Sequence, residues 1–548
     1  MKKLYWTFIF LLCLIGASLK PKVSLSAIKS TSSTITVTTS SDALNGDCSS
    51  VSNLVNNPGP DGISLREAMT ASNNTPGPED VQFAAELAGT SIYVGSVIHD
   101  ALPFLAGGGL TINGDIDGDG QPDVAIDGSF GVPDTPTANA FSIWSDNNTI
   151  TGLIINDFDQ AVMFGVPNYW NGSSKTISGN RILGNKIISC NKGIFIGPLG
   201  WIGVDDPEKI SNLTWQDTEI SGNEIMYVVE AILLYAGVGG SSNNRIIATT
   251  IAGNLLEEET SIVVIAGDTN TIWQGGSGPV RYADGNSVED VVISNNRAAG
   301  ICIEGANMGN RGNQVRNVRI YGNEVGSRGI SVITCDEVQE YDQRKTSDNL
   351  ISQIEIRENS VEGVDCGICA GAGGGRWGVD GPGISENRLE SVIIANNTVT
   401  GSRWAGIAIW GGMQLGVAPI ESNRVSGVRI SGNHVFSQTP LEATGILLVG
   451  GWFQDWATGP VTSNTVTGLE VTGNEITGCK FGIQVLGGYG QRSENNALEG
   501  RASGNILSEN QYPYQVTDNF ENAVNNSVAW IWRVIKAMPW IPLLLLDD

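Results

Sequence analysis

Asparagine spacing constrains this chain more than any other feature. From about residue 148 onward two asparagines recur ten residues apart: Asn244/Asn254, Asn286/Asn296, Asn313/Asn323, Asn349/Asn359, Asn387/Asn397, Asn423/Asn433 and Asn464/Asn474. Counted from the first of each pair, apolar residues fall at +2, +5, +7 and often +12, as in Val315, Val318, Ile320 and Val325, or Val425, Val428, Ile430 and Val435. Worn copies extend the array, with Ile150, Leu153 and Ile155 after Asn148, Ile177 and Ile182 after Lys175, and a depleted unit at Asn495/Asn505. The +5 and +7 positions alternate with a period of two, and the preceding gap of three breaks that alternation as a bend between strands does. Gly253, Gly322, Gly432 and Gly473, together with the asparagines they precede, suit left-handed corners. A Gly-Ile step then opens a further strand at Gly329-Ile330, Gly367-Ile368, Gly406-Ile407, Gly445-Ile446 and Gly482-Ile483.

No such unit buries its apolar face alone, so the units must stack. Stacking superposes the apolar positions into columns and the asparagines into amide ladders that satisfy one another. The expected fold is all-β: a single-stranded, right-handed parallel β-helix with an N-terminal capping segment. At about 4.8 Å per coil, ten or more coils give a shaft on the order of 50 Å long. A propeller is the rival architecture, but the strand signals lack hairpin dipeptides between them.

The phrasing Ile430-Ser-Gly-Asn-His-Val435 resembles the parallel β-helix repeat of the pectin-lyase-like superfamily over residues 140 to 510. That resemblance implies the fold and leaves activity open, because the superfamily holds lyases, hydrolases, epimerases, adhesins and structural proteins.

Composition bounds the partners. Against 31 Lys+Arg stand 57 Asp+Glu, a formal charge of −26, which repels phosphate backbones and argues against nucleic acid. The same charge disfavours polyanionic sugars unless a cation bridges them. Two histidines, His99 and His434, leave little for a zinc site or a Ser-His dyad.

Four segments are expected. Residues 1–27 read as an export signal: Lys2 and Lys3 precede the short apolar run Leu4–Ile15, and small residues follow. The protein is therefore expected to be extracellular or at the cell surface. Residues 28–140 form the cap, 141–510 the β-helix and 511–548 a C-terminal cap or tail. The apolar run from Val528 to Leu546 is interrupted by Arg533, Lys536 and two prolines, so it suits a plug better than a membrane span; tethering to a membrane is the minor alternative. Of the cysteines beyond the leader, Cys48, Cys190, Cys302, Cys335 and Cys479 read as small buried hydrophobes. Cys366-Gly-Ile-Cys369 is similar to a metal or redox pair but lacks a second pair to complete a site.

In the cap, Ser64-Leu-Arg-Glu67 reads as the start of a short helix with a capping box. The run Ser64-Leu-Arg-Glu-Ala68, followed by Ala71–Gly77 and Val81–Phe83, resembles the CSLREA domain at the front of secreted β-helix proteins. Ile63 stands where that family has its leading cysteine, so no bond through it carries over. Asp115, Asp117, Asp119, Gln121 and Asp123 follow the spacing of a Ca²⁺ loop, with a glycine at its sixth position and no glutamate at its twelfth. A structural Ca²⁺ is expected there, pinning cap to shaft.

Coil length varies mainly after the Gly-Ile strand, and seven of the fourteen tryptophans fall in those insertions. A solenoid places one class of insertion along one side. Flat rings in a glycine-rich groove suit stacking on sugars, so Trp273, Trp377, Trp410, Trp452 and Trp456 are the expected carbohydrate-binding residues. The competing role for each is packing against the shaft. Asp336, Glu337, Glu340, Asp342, Arg344, Lys345, Asp365, Arg376 and Asp380 lie in neighbouring loops, but none matches a catalytic signature. The chain is expected to bind a polysaccharide or cell-surface glycan; a lyase or glycoside hydrolase activity stays open, and a non-catalytic adhesin or structural protein is the alternative.

Overall fold

The computed structural model describes residues 32–533 except 98–99, 130–138, 168–169, 171, 173, 199–209, 258, 269–281, 308, 336–343, 364, 376–380, 415, 438–441, 454–456 and 518–523. The leader and the last fifteen residues lie outside this set. Residues from Ser33 onward make one compact unit.

The chain winds as a right-handed parallel β-helix, the hand that parallel crossovers take almost without exception. Its described strands form sheets of 18, 24 and 5 strands. One late coil shows the plan: a first side Arg388–Ala395, a second side Thr398–Thr400, a third side Ala405–Gln414, and a two-residue fourth side Ile420–Glu421. Each pairs in parallel with its counterpart one coil on, for example Ile394 with Ile430 and Ile407 with Ile446.

The expected columns are present. Along the first side Val288, Val315, Ile351, Leu389, Val425, Val466 and Leu498 stack in register, and all are buried. Burial of each such side chain contributes about 1.5–3 kcal/mol, and stiff branched residues suit the pleated interior.

Two amide ladders mark the corners. One runs Asn244, Asn286, Asn313, Asn349, Asn387, Asn423, Asn464, Asn496, Asn526, with each backbone N–H donating to the next Oδ1 at 2.7–3.1 Å. The other runs Asn185, Asn223, Asn254, Asn296, Asn323, Asn359, Asn397, Asn433, Asn474, Asn505 at 3.0 Å or close to it. The left-handed corner conformation belongs to the residue before each ladder asparagine, such as Gly253 (φ 64°) or Asn396 (φ 56°), and not to the ladder residue itself as the sequence suggests. The reason is division of labour: the corner residue turns the chain so that the next side chain points inward to bond.

Two boundaries differ from expectation. Strand Ser33–Val37 pairs with Glu79–Phe83, which pairs with Leu110–Asn113, which pairs with Thr149–Thr151. The cap thus supplies the first rungs of the same sheet. At the other end Ser527–Arg533 pairs along its whole length with Ala497–Ser503, so these residues add a rung instead of plugging one.

The helix Leu65–Asn73 explains the Ser-Leu-Arg-Glu-Ala run residue by residue. Ser64 Oγ accepts from Glu67 N at 3.1 Å and Glu67 Oε2 accepts from Ser64 N at 2.9 Å, closing the capping box. Glu67 Oε1 also accepts from Asn45 N and Gly46 N. Arg66, buried, forks onto Asp42 at 2.8 and 2.9 Å and donates to the Ala101 and Asp100 carbonyls. Leu65, Ala68 and Met69 enter the core.

Candidate flank on the third side

Strand alternation gives the third side two faces. Ile407, Ile409, Ile446, Leu448, Ile483 and Val485 belong to the main core. Their neighbours Ala408, Trp410, Leu447, Val449 and Leu486 form a separate apolar cluster on the opposite, outward face. On the first side outward residues are polar, as with the exposed Arg424 and Arg429. On the third side they are apolar and sheltered, with Trp410 only 2% exposed and Leu486 fully buried.

Four rings gather there. Trp452 stacks on Tyr489, its register partner one coil on, at 4.2 Å and 11°. Trp404 meets Trp452 edge-on at 5.6 Å and lies 6.3 Å from Trp410. Trp410 donates Nε1–H to Gly373 O at 3.1 Å, and its ring is out of solvent. A Cβ on Gly371 would stand 2.1 Å from that nitrogen, so glycine one coil earlier is what lets the indole lie across it. Trp404, Trp452 and Tyr489 stay half-exposed, and Trp452 Nε1 has no hydrogen-bond partner. Of the five predicted tryptophans the structure therefore brings Trp410 and Trp452 together, while Trp273, Trp377 and Trp456 lie outside the described residues. Trp170, another insertion tryptophan, turns down onto the core, edge-on to Trp144 at 5.1 Å.

Beside the rings Cys366 and Cys369 are joined by a disulfide, where the sequence offers only an incomplete pair. Both are half-buried on the same strand.

Earlier coils continue the flank. Met163, Phe195 and Leu233 form an outward apolar patch, with Tyr235 edge-on to Phe195 at 5.6 Å. Next comes a group absent from the sequence expectations: Tyr235, Asp268, Cys302 and Glu304. Cys302 Sγ donates to Glu304 Oε1 at 3.1 Å. Asp268 follows Gly267, the register partner of Ala306, and bonds the Asn307 side chain. Burial pushes the Asp268 carboxyl up to about 6, against the lowering effect of Asn307 and with help from the Glu230 charge. Burial, then the charges of Asp268, Glu230 and Glu304, hold the Tyr235 phenol well above its ordinary value. Arg344 and Lys345, which the sequence left as loop charges, are paired: Arg344 with Asp284 at 2.5 Å and over the Tyr282 ring, Lys345 with Glu421. Asp336, Glu337, Glu340, Asp342, Arg376 and Asp380 lie outside the described residues.

The predicted Ca²⁺ loop is far along the chain from this flank. Oxygens of Asp115, Asp117 and Asp123 lie within 4.8 Å of one another. That separation fits ligands sharing one ion at 2.3–2.6 Å. Gly118 and Gly120, both at positive φ, donate to the two Asp115 oxygens, and Asp123 Oδ2 accepts from Ile116. Asp119 instead accepts from Gln121 N, and neither Asp119 nor Gln121 belongs to the converging group. An all-oxygen, carboxylate-rich set suits a hard cation.

No protein-family profile matches the chain, and no curated protein matches it. Among solved structures it is similar to the A-module of the Azotobacter vinelandii mannuronan C-5 epimerase AlgE4, at 12% identity over 83% of this chain and 92% of that one, with a TM-score of 0.33. It is also similar to the Streptococcus pneumoniae surface protein and adhesin PfbA, at 11% identity over 86% and 95%, with a TM-score of 0.26. The periplasmic alginate epimerase AlgG gives 11% identity over 75% and 84%, with a TM-score of 0.23. These likenesses extend to parallel β-helix winding and to nothing finer.

Proposed function

We propose that the chain is an exported protein that holds a polysaccharide along the outer face of its third side. The observation that carries this is the half-exposed group Trp404, Trp452 and Tyr489, set on a glycine-floored strip of an otherwise polar exterior. Rings with a free face and an unbonded indole N–H offer stacking and one directional hydrogen bond, which is what a sugar ring with equatorial hydroxyls needs. Trp273, Trp377 and Trp456 extend the same surface in this reading, and Trp410 supports it from beneath. The N-terminal segment acts as a CSLREA-like cap, and Ca²⁺ at Asp115, Asp117 and Asp123 stiffens it. Export rests on the Lys2-Lys3 and Leu4–Ile15 leader.

The test is a glycan array followed by titration of the best polymer. Trp452→Ala should weaken binding roughly 3- to 10-fold, the equivalent of one aromatic contact of about 0.5–1.5 kcal/mol, with the melting temperature little changed. Unchanged binding with a large drop in melting temperature would make Trp452 a packing residue and remove the platform.

A further inference from the structure

Three rungs before the strand of Trp410, the same outward face carries Tyr235, Asp268, Cys302 and Glu304. At about 4.8 Å per rung the two groups stand about 14 Å apart, within the reach of one bound polymer. Tyr235, Ile265 and Glu304 share one register column, and Asp268 stands opposite Asn307 at its end. The Tyr235 hydroxyl has no hydrogen-bond partner among the described residues, although acidic groups crowd it.

We propose that Asp268 and Glu304 are the catalytic acid and base of a glycoside hydrolase acting on uncharged polysaccharide. The inference rests on the binding reading above. The two carboxyls have opposed surroundings, the arrangement that separates acid from base in such enzymes. Asp268 is pushed toward its protonated form by burial, whereas the Cys302 thiol donates to Glu304 and favours its ionised form. Asp268 gives its proton to the bridging oxygen as the bond from that oxygen to the anomeric carbon breaks. Glu304 takes a proton from water, whose oxygen bonds to that carbon. One water is consumed, and one new reducing end and one new hydroxyl appear. Tyr235, kept neutral, donates to a hydroxyl of the sugar.

The charge pattern sets the substrate class. Glu230, Asp268 and Glu304 face the centre, and the cations packed nearest are engaged: Lys192 holds Glu230 at 2.9 Å, and Arg344 holds Asp284. A uronate polymer would meet carboxylates there, so a neutral one is favoured.

The test uses the full chain with xylan and β-1,3-glucan as neutral polymers, and with alginate and polygalacturonate as acidic ones. Reducing ends are followed from pH 4 to 8. Neutral polymer should be cleaved, at a rate that falls as pH rises through about 6. Asp268→Asn and Glu304→Gln should each cut the rate at least about 100-fold, while polymer binding and melting temperature hold. Neutral polymer bound in a Trp452-dependent way but never cleaved would overturn the centre and leave the binding reading standing. Cleavage confined to acidic polymers would overturn the substrate class, and binding to none would remove both. Should Asp268→Asn not fold, the wild-type rate profile decides: a rate that does not fall between pH 5 and 7 contradicts Asp268 as acid.

Discussion

Asn397→Ala is the sharpest perturbation of the shaft. Its side chain is fully buried and serves four bonds. Oδ1 accepts from Asn359 N at 3.1 Å and from Asn359 Nδ2 at 2.9 Å, while Nδ2 donates to Ile356 O and to Asn433 Oδ1, both at 2.9 Å. Truncation strands the Asn359 N–H and the Ile356 carbonyl away from water. Asn359 Nδ2 retains its bond to Ile320 O, and Asn433 Oδ1 still accepts from Asn397 N, so those groups lose less. Each stranded group costs about 1–3 kcal/mol, giving about 2–6 kcal/mol for two. Backbone strain does not confound the result, because the left-handed residue is Asn396. In a stack of coupled coils the loss is local first. Native-state hydrogen exchange should show faster exchange in Ser360–Glu362 and Thr398–Thr400, with a lower denaturation midpoint. The exposed Asn56→Ala serves as control. A loss below about 1 kcal/mol, or one matching the control, would refute the ladder as a source of stability.

Three further outcomes are expected. Glu79, buried, has its carboxyl pushed up to about 7 by burial and then by Asp80, from 4.5 when free. Its ionisation is therefore unfavourable to folding, with no effect below pH 4.5, a growing one up to 7 and the full effect above; Glu79→Gln should raise the melting temperature at pH 8 and leave it unchanged at pH 4. Millimolar Ca²⁺ should slow exchange in residues 115–127, with affinity in the weak range of extracellular modules, about 10⁻⁴–10⁻³ M; Asp115→Asn should abolish the effect, and equal protection with chelator would dismiss the ion. Arg66→Ala leaves Asp42 buried without its partner and should cost about 3–5 kcal/mol, read by urea denaturation; a loss under about 1 kcal/mol would mean that water reaches the pair.

The fold was legible because a solenoid repeats its constraints. Asn at ten-residue spacing and Val or Ile at +2, +5 and +7 each report one corner or one column, so the winding follows from local pattern. The Ser64–Glu67 capping box was legible for the same reason, being complete within four residues. The flank was legible only in outline. Indoles in insertions show which side is decorated, but whether Trp410 lies under the surface and Trp452 on it depends on Gly371 one coil away. The acidic centre escaped because Tyr235, Asp268 and Glu304 sit 31 to 69 positions apart at its extremes and meet only through register. Aligning the coils on their third strands, not on their asparagines, puts Tyr235, Ile265 and Glu304 in one column. The disulfide escaped because Cys366 and Cys369 share a strand, where an alternating pattern would set them on opposite faces.

Hydrogen exchange of the full chain with and without a saturating neutral glycan tests the central claim most directly. Protection should appear in Ala405–Gln414, Thr444–Phe453 and Phe481–Tyr489, and should fade across Arg388–Ala395, Arg424–Ser431 and Thr465–Thr472, which lie on the first side. Protection of the first side instead, or none on either, would contradict the assignment of the third side as the binding flank.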